Sequence, residues 1–273
     1  MTFARNLIVG FFITNSVLFA SDVHFNDLLK CNLRHDDVSS LCDVQQEIHL
    51  YNQALQNESN YESMPKLEQW VDDYFYPQYP NLHVNNQLIL DAIKELNLTS
   101  VCEIGAGAGK ICKYIYAENP HLAITCIEHN SRHLQQMEEN FHTRPHVILP
   151  NISVPATILK GALPDLHSIP ADTFDLVFTC TVMMHIPFIP AVQSAMEIAR
   201  LSKKYIIHVE NKNFGTEWYD MTIVKPASMS PINYQGIDYV KLYEKLGVKT
   251  LKYFEYKDPC TPGTFIFYLG EKS

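Results

Sequence analysis

Clusters of basic residues are absent from this sequence. Its 273 residues include 21 Lys and Arg against 30 Asp and Glu, which gives a formal net charge of −9. A protein that holds a nucleic acid neutralises phosphates with Lys and Arg, and an acidic chain works against that binding. We therefore predict no nucleic-acid partner, which disfavours RNA and DNA as substrates.

Internal repeats, low-complexity tracts and the cysteine spacings of zinc sites are missing as well. With 47% hydrophobic residues, a chain of this length can bury a sizeable core, and one α/β domain with additions is the expected organisation. The four cysteines between positions 102 and 180 lie in predicted core elements, where we expect inert buried thiols. Cys31 and Cys42 lie in a polar stretch and could form a disulfide bond in an oxidising compartment.

The first 20 residues have the pattern of a secretory signal peptide. Arg5 precedes an apolar stretch over residues 7–20, and polar Ser21 follows it. The stretch is short for a membrane-spanning helix, although an uncleaved anchor or a buried helix fits the same pattern. We predict that any membrane association involves residues 1–20 only.

The most informative motif is a glycine-rich loop between a buried strand and a helix. In Val-Cys-Glu-Ile-Gly-Ala-Gly-Ala-Gly-Lys, residues 101–110, an apolar run ends at Glu103 and glycine occupies every second position from 105 to 109. We expect these glycines to take positive φ, to keep side chains away from a ligand and to leave free N–H groups pointing at it. A second apolar strand, residues 123–128, ends in Glu128, whose carboxylate can accept hydrogen bonds from both hydroxyls of a ribose. This βαβ pattern predicts a nucleotide-like ligand.

Two common glycine loops do not fit the motif. A phosphate-binding P-loop needs glycine where Ile104 stands and Ser or Thr where Ile111 stands. The fingerprint of dinucleotide-binding proteins places its third glycine at position 110, which is Lys110 in this chain. An NAD(P)-dependent oxidoreductase therefore stays only as an alternative.

The loop and the segments after it resemble the Class I S-adenosylmethionine-dependent methyltransferases. The resemblance extends over about residues 86–210 and includes three later segments, 161–163, 168–178 and 183–187. It implies S-adenosylmethionine as the cofactor. Because this cofactor is made in the cytosol whereas residues 1–20 suggest export or anchoring, the localisation stays open.

The resemblance also assigns roles to individual residues. Glu103 would orient the methionine end of the cofactor, the glycines would pass beneath it, and Glu128 would hold the ribose. Family members often have Asp after the third strand to bind the adenine amino group, whereas this chain has Ala162 and Leu163, so we expect backbone and apolar contacts there. The residues implied in cofactor binding are Glu103, Gly105, Ala106, Gly107, Gly109, Glu128, His129, Ala162, Leu163 and Cys180.

The implied fold is α/β, with a Rossmann-like seven-stranded sheet. The sheet would be mostly parallel with an antiparallel last strand, with helices on both faces and an N-terminal helical extension. We assign residues 1–20 to a signal peptide or anchor, 21–83 to the extension, and 84–273 to the methyltransferase domain. The aromatic-rich end of the extension is a possible lid, and the long segment at about 211–238 is the predicted substrate-recognition insertion.

Methyl transfer mainly requires alignment of the acceptor with the methyl group, and a hydroxyl acceptor also benefits from a base. His185, just beyond the fourth predicted strand, has an ordinary pKa of about 6.5 that suits this role, although a purely structural histidine fits as well. Glu210, at the end of the fifth strand, is a second candidate.

We predict no metal, because the carboxylate and amide set of metal-dependent catechol methyltransferases is not recognisable. The expected function is S-adenosylmethionine-dependent methylation of a small molecule, with a hydroxyl of a sugar or another metabolite favoured over an amine. A non-catalytic binding protein that keeps the fold is the other alternative.

Overall fold

The computed structural model describes residues 49, 52–53, 84–142, 153–186, 188–212, 237–257 and 264–273. Three predicted features lie outside these residues: the signal peptide or anchor, nearly all of the extension with its lid and Cys31 and Cys42, and most of the recognition insertion. The assigned domain boundaries therefore stay predictions. Within the described residues, no helix has the length and apolar character needed to cross a membrane.

Helices and strands alternate through most of the described chain. They are α1 (Val84–Glu95), β1 (Ser100–Ile104), α2 (Lys110–Glu118), β2 (Ala123–Glu128), α3 (Ser131–His142), β3 (Thr157–Lys160), β4 (Phe174–Cys180), a 3-10 turn (Met183–His185), α4 (Phe188–Leu201), β5 (Ser202–Asn211), α5 (Tyr239–Lys245), β6 (Val248–Tyr256) and β7 (Phe265–Lys272).

The seven strands form one mixed sheet in the order β3-β2-β1-β4-β5-β7-β6. The first five strands run parallel to one another. The last strand, β7, lies between β5 and β6 and is antiparallel to both. The predicted fold class is confirmed, including the antiparallel last strand.

The core has one apolar cluster on each face of the sheet. Because side chains alternate along a strand, Val101 of β1 joins one cluster and its neighbour Cys102 joins the other. Residues such as Ile89, Ile115 and Met137 bring α1, α2 and α3 to the first face. Helices α4 and α5 cover the opposite face, so helices pack on both faces as predicted.

Parallel strands place their carboxyl ends at one edge of the sheet, and open α/β sheets bind their ligands at that edge. The glycine loop follows β1 at this edge, and Glu128 and Cys180 end β2 and β4 there. Helix α3 begins immediately after β2, where the side chain of Asn130 accepts from the backbone N–H of His133 at 3.1 Å. The motifs singled out in the sequence therefore meet at one edge.

Candidate active site

The glycine loop is tied to the end of β2 by its own backbone. The N–H groups of Gly105 and Ala106 both donate to the carbonyl oxygen of Ile127, at 2.8 and 3.1 Å. The N–H of Gly107 donates to Oε2 of Glu128 at 2.8 Å. The expectation that the loop leaves its amides free for a ligand is wrong for these three residues, because the protein itself supplies their acceptors.

The three loop glycines have φ values of 73°, 53° and 82°, as predicted, but they are needed for different reasons. A Cβ at Gly105 would lie 2.4 Å from a methyl carbon of Val182, and one at Gly109 would lie 2.7 Å from the ring of Phe141. Of these three glycines, Gly107 alone is a position where a Cβ would meet no atom within 4 Å. The prediction that all three glycines clear space for a ligand is therefore wrong at two positions, and the open space lies above Gly107.

Glu128 is a buried carboxylate surrounded by donors. Its Oε1 accepts from the backbone N–H groups of His129 and Asn130, both at 2.9 Å, and lies 3.0 Å from Nδ1 of His129. Burial alone would raise the pKa of Glu128, but the hydrogen bonds and the His129 and His133 imidazoles lower it below 4.5. Glu128 is therefore ionised at neutral pH, and its Oε2, which accepts from Gly107, has the lone-pair capacity to accept from a further donor.

Glu103 lies between β1 and α2, where it is 3% exposed. Its carboxyl accepts from Sγ of Cys112 at 2.9 Å, and this sulfur lies 2.6 Å from Sγ of Cys126. Burial raises the pKa of Glu103 to about 8, against the lowering effect of the Cys112 hydrogen bond. The structure therefore buries the carboxyl group against α2, where it is mostly protonated at neutral pH.

The segment after β3 is bound to the end of β2 through Gly161, whose N–H donates to the carbonyl oxygen of Glu128 at 3.1 Å. Ala162 forms an isolated backbone bridge with Asp165 and is half-buried. Leu163 is 3% exposed and belongs to the core cluster on the α4 side. Of the two residues expected near adenine, Ala162 is the one with accessible surface, and Leu163 supports it from the core.

The chain leaves β4 through a strained residue. Cys180 is 9% exposed, and Thr181 after it has a φ of 58°, which is rare for a β-branched residue. The Thr181 N–H donates to the carbonyl oxygen of Val209 at 2.8 Å. Such strain costs on the order of 1–3 kcal/mol and is found preferentially at functional sites. Here it turns the chain so that Val182 packs over Gly105.

Lys110, which stands where a dinucleotide-binding protein would have its third glycine, begins α2. It is 5% exposed, and burial lowers its pKa to about 8, with a smaller opposing effect from Cys180. The start of α2 therefore has a long cationic side chain at the position where the dinucleotide-binding fingerprint requires glycine.

His185 ends the 3-10 turn that follows β4. Its N–H donates to the carbonyl oxygen of Val182 at 3.0 Å, and the residue as a whole keeps exposed surface. Desolvation by the surrounding protein lowers its pKa to about 4, so the imidazole is neutral at neutral pH but is a weaker base than the ordinary pKa of about 6.5 predicted. The predicted position just beyond β4 is correct.

Glu210, the second candidate base, is 2% exposed near the end of β5. Its Oε1 accepts from Oγ1 of Thr179 at 2.8 Å and from the N–H of Val182 at 3.2 Å, and its Oε2 accepts from the N–H of Met184 at 3.2 Å. Burial raises the pKa of Glu210 to about 7, against these hydrogen bonds. Both oxygens are thus engaged with the protein itself.

Sequence reasoning missed the residues that hold the end of β4 in place. Thr179 and His208 are completely buried and hydrogen-bonded to each other, and Val182 contacts the glycine loop. In the sequence they stand within apolar runs, where no spacing or motif distinguishes them. Their contacts join β4 to β5, and only the folded sheet brings these strands together.

Comparison with known proteins supports the resemblance. Residues 102–205 match the model of a family described as a methyltransferase domain. No curated protein matches the chain. Among solved structures, it is similar to an S-adenosylmethionine-dependent methyltransferase from Aquifex aeolicus, with 13% identity, a TM-score of 0.51, and coverage of 75% of this chain and 98% of the other. A TehB-like S-adenosylmethionine-dependent methyltransferase from Corynebacterium glutamicum has 14% identity and a TM-score of 0.51, with coverage of 76% and 97%.

The sheet order, the glycine loop and the family match together define the Class I methyltransferase fold. Residues 102–205 match a methyltransferase domain, the fold is that of S-adenosylmethionine-dependent methyltransferases, and S-adenosylmethionine is the cofactor that such a domain implies. The described residues fit that cofactor, because the open space above Gly107 lies beside the ionised carboxylate of Glu128. In the described part of the chain, no three His, Cys, Asp or Glu side chains are placed to share a metal ion.

Proposed function

We propose that the chain transfers a methyl group from S-adenosylmethionine to a hydroxyl of a small molecule, such as a sugar or another hydroxylated metabolite. The observation that carries this proposal is the pairing of Glu128, held ionised, with the open space above Gly107. A ribose hydroxyl placed there can donate to Oε2 of Glu128, as the implied cofactor requires.

The remaining cofactor contacts follow the edge of the sheet. Gly105, Ala106 and Gly109 shape the loop, and His129 and Ala162 border the end of β2 on its β3 side. Cys180 borders the loop on its β4 side. We assign Glu103 and Leu163 to support of this surface from below, because each is 3% exposed. The assignment of Glu103 to the methionine end is thereby refined to an indirect role through the loop.

S-adenosylmethionine supplies a methyl group on a positively charged sulfur. As the acceptor oxygen bonds to the methyl carbon, the carbon–sulfur bond breaks and its electron pair stays on sulfur, so the acceptor hydroxyl must lose its proton. His185 is the base we assign, because it lies just beyond β4 with exposed surface and its imidazole is uncharged at neutral pH; its lowered pKa makes it a weak base. Glu210 is the weaker candidate, because both its oxygens accept hydrogen bonds from the protein.

A small-molecule acceptor is consistent with the acidic chain, whose sequence has no cluster of the Lys and Arg residues that nucleic-acid binding needs. The segment at about 211–238 is the proposed source of acceptor specificity, and residues 64–83 are the proposed lid. Neither the family match nor the similar structures support the alternatives of an NAD(P)-dependent oxidoreductase or a non-catalytic binding protein.

The proposal is tested by incubating the full chain with methyl-labelled S-adenosylmethionine and separate pools of sugars, other hydroxylated metabolites, amines and carboxylic acids. We expect label to enter the hydroxylated pools, with S-adenosylhomocysteine formed in equal amount. Methylation confined to amines would overturn the assignment of a hydroxyl acceptor.

The role of His185 is tested on the acceptor found in this way. His185→Ala should lower turnover at saturating substrate by at least about 100-fold, the lower end for loss of a general base, without changing cofactor affinity. His121→Ala is the matched control, because His121 is exposed just before β2, at the opposite edge of the sheet. Wild-type turnover in His185→Ala would show that this histidine is structural.

A further inference from the structure

A line of buried polar side chains crosses the sheet from α5 to the turn after β4. The phenol oxygen of Tyr243 lies 2.6 Å from Nε2 of His208, and Nδ1 of His208 lies 2.7 Å from Oγ1 of Thr179. The Thr179 hydroxyl donates to Oε1 of Glu210 at 2.8 Å. The first three residues have no exposed surface and Glu210 is 2% exposed, so each polar atom depends on its neighbour in the line.

The direction of every hydrogen bond in this line follows from counting protons. When Glu210 is ionised, the single hydroxyl proton of Thr179 goes to its carboxylate, so Nδ1 of His208 must donate to the Thr179 oxygen. Burial lowers the pKa of His208 to about 3, so the ring is neutral and carries no second proton. Its Nε2 therefore accepts from the phenol of Tyr243. All the protons point toward Glu210.

The far end of the line reaches the glycine loop. Glu210 accepts from the N–H groups of Val182 and Met184, and these bonds hold the turn after β4. The side chain of Val182 lies so close to Gly105 that a Cβ there would be 2.4 Å from a Val182 methyl carbon. The same turn ends in His185. A shift of the Glu210 carboxylate would therefore move both the cover of the loop and the assigned base.

We propose that Thr179 and His208 are positioning residues, which hold Glu210 so that the turn at 182–184 stays fixed against the glycine loop. Neither residue touches the proposed cofactor space; they act through Glu210 and Val182. His208 is itself held by stacking on Tyr243, with ring centroids 5.3 Å apart and an angle of 23° between the planes. Helix α5 thereby contributes to a site at the opposite end of the line.

The test compares Thr179→Val, which has the same shape without the hydroxyl, with Thr179→Ser, which restores the hydroxyl. In Thr179→Val we expect about tenfold weaker binding of S-adenosylhomocysteine, the size of one net hydrogen bond, and near wild-type binding in Thr179→Ser. Ser194→Ala is the control, because it removes another fully buried hydroxyl, one that donates to Pro190 within α4. Equal affinity in Thr179→Val and wild type would overturn the proposal.

Two further measurements on the full chain need no cofactor. Amide hydrogen exchange at Val182 and Met184 should be faster in Thr179→Val than in wild type and unchanged in Ser194→Ala. At a pH well above 7, where Glu210 is ionised, nitrogen NMR of wild-type His208 should show a neutral ring with its proton on Nδ1. A proton on Nε2, or exchange that Thr179→Val does not change, would show that the line does not hold the turn.

The affinity measurement rests on the proposed function, whereas the exchange and NMR measurements do not. If wild type fails to bind S-adenosylhomocysteine while exchange at Val182 responds to Thr179→Val, the cofactor assignment fails and the positioning of the turn stands. If wild type binds and neither affinity nor exchange responds, the positioning proposal fails alone.

Discussion

Two carboxylates at the same edge of the sheet have similar burial and opposite electrostatics. Glu128, at the end of β2, is 4% exposed, and Glu210, near the end of β5, is 2% exposed. Each accepts hydrogen bonds from backbone N–H groups of the segment that follows a strand. Yet the pKa of Glu128 is below 4.5, whereas burial raises the pKa of Glu210 to about 7.

The difference comes from the surrounding donors. Glu128 accepts three backbone bonds at 2.8–2.9 Å and has the imidazoles of His129 and His133 nearby. The backbone bonds to Glu210 are 3.2 Å long, and its side-chain partner, Thr179, is neutral. Because the two carboxyl groups are buried to a similar extent, the difference between their pKa values comes from the donors around each of them. Glu128 is suited to bind a ligand's hydroxyls, and Glu210 to hold the protein in place.

The largest expected effect is a difference in protein stability between substitutions at two positions of the glycine loop. Gly105 contacts the turn that Glu210 holds, whereas Gly107 donates to Glu128. Gly105→Ala should lower the free energy of unfolding by about 2–5 kcal/mol, because it adds overpacking against Val182 to an unfavourable positive φ. Gly107→Ala should cost about 1–2 kcal/mol, from the positive φ alone, yet weaken cofactor binding by filling the open space.

Denaturant unfolding of both variants measures the difference, and calorimetry with S-adenosylhomocysteine measures the binding. Equal destabilisation by Gly105→Ala and Gly107→Ala would contradict the different packing of the two positions.

A second effect follows from the opposite pKa shifts. Because the folded protein binds the Glu210 proton more tightly than the unfolded chain, this residue lowers the free energy of unfolding as the pH rises from 4.5 to about 7. The rise of the pKa from 4.5 to about 7 corresponds to a loss on the order of 3 kcal/mol. Glu103, with a pKa of about 8, has the same sign. Glu128 has the opposite sign, since its contribution is present above pH 4.5 and is lost as the pH falls.

Denaturant unfolding of wild type and Glu210→Gln at pH 5 and pH 8 checks this prediction. The variant should lose on the order of 3 kcal/mol less than wild type between the two values, because glutamine stays neutral. Parallel losses in the two proteins would show that Glu210 does not take up a proton in this range.

The smallest of the three effects concerns cofactor binding. Glu128→Ala removes the ionised acceptor of the ribose hydroxyls and should weaken S-adenosylhomocysteine binding by about 1.5–3 kcal/mol. Glu210→Gln keeps an acceptor toward Thr179 and should weaken binding less, by under about 1.4 kcal/mol, or tenfold. Calorimetric titration of both variants decides the order. A larger loss in Glu210→Gln would reverse the roles assigned to the two residues.

Much of the fold could be predicted from the sequence because local patterns determine it. The apolar runs, the glycine loop and the acid at the end of β2 all lie within residues 101–128, so their spacing was enough to predict a βαβ unit. The antiparallel last strand followed from the resemblance. The ends of the elements were less accurate: Glu210 was expected at the end of the fifth strand, whereas β5 extends to Asn211.

The packing around the loop glycines and the protonation state of Glu103 could not be predicted, because they depend on contacts between segments that are distant in the sequence. Gly105 is required by Val182 and Gly109 by Phe141, and neither partner lies near its glycine in the sequence. The protonated state of Glu103 depends on burial beneath α2 next to Cys112. The motif therefore identified the loop correctly and gave the wrong reason for two of its glycines.

The most direct test of the central claim is calorimetric titration of the full chain with S-adenosylmethionine, S-adenosylhomocysteine and NAD. We expect micromolar binding of the first two and none of NAD, because Glu128 and the space above Gly107 suit an adenosine ribose while Lys110 replaces the third fingerprint glycine. Binding of NAD alone, or of none of the three by a folded sample, would contradict it.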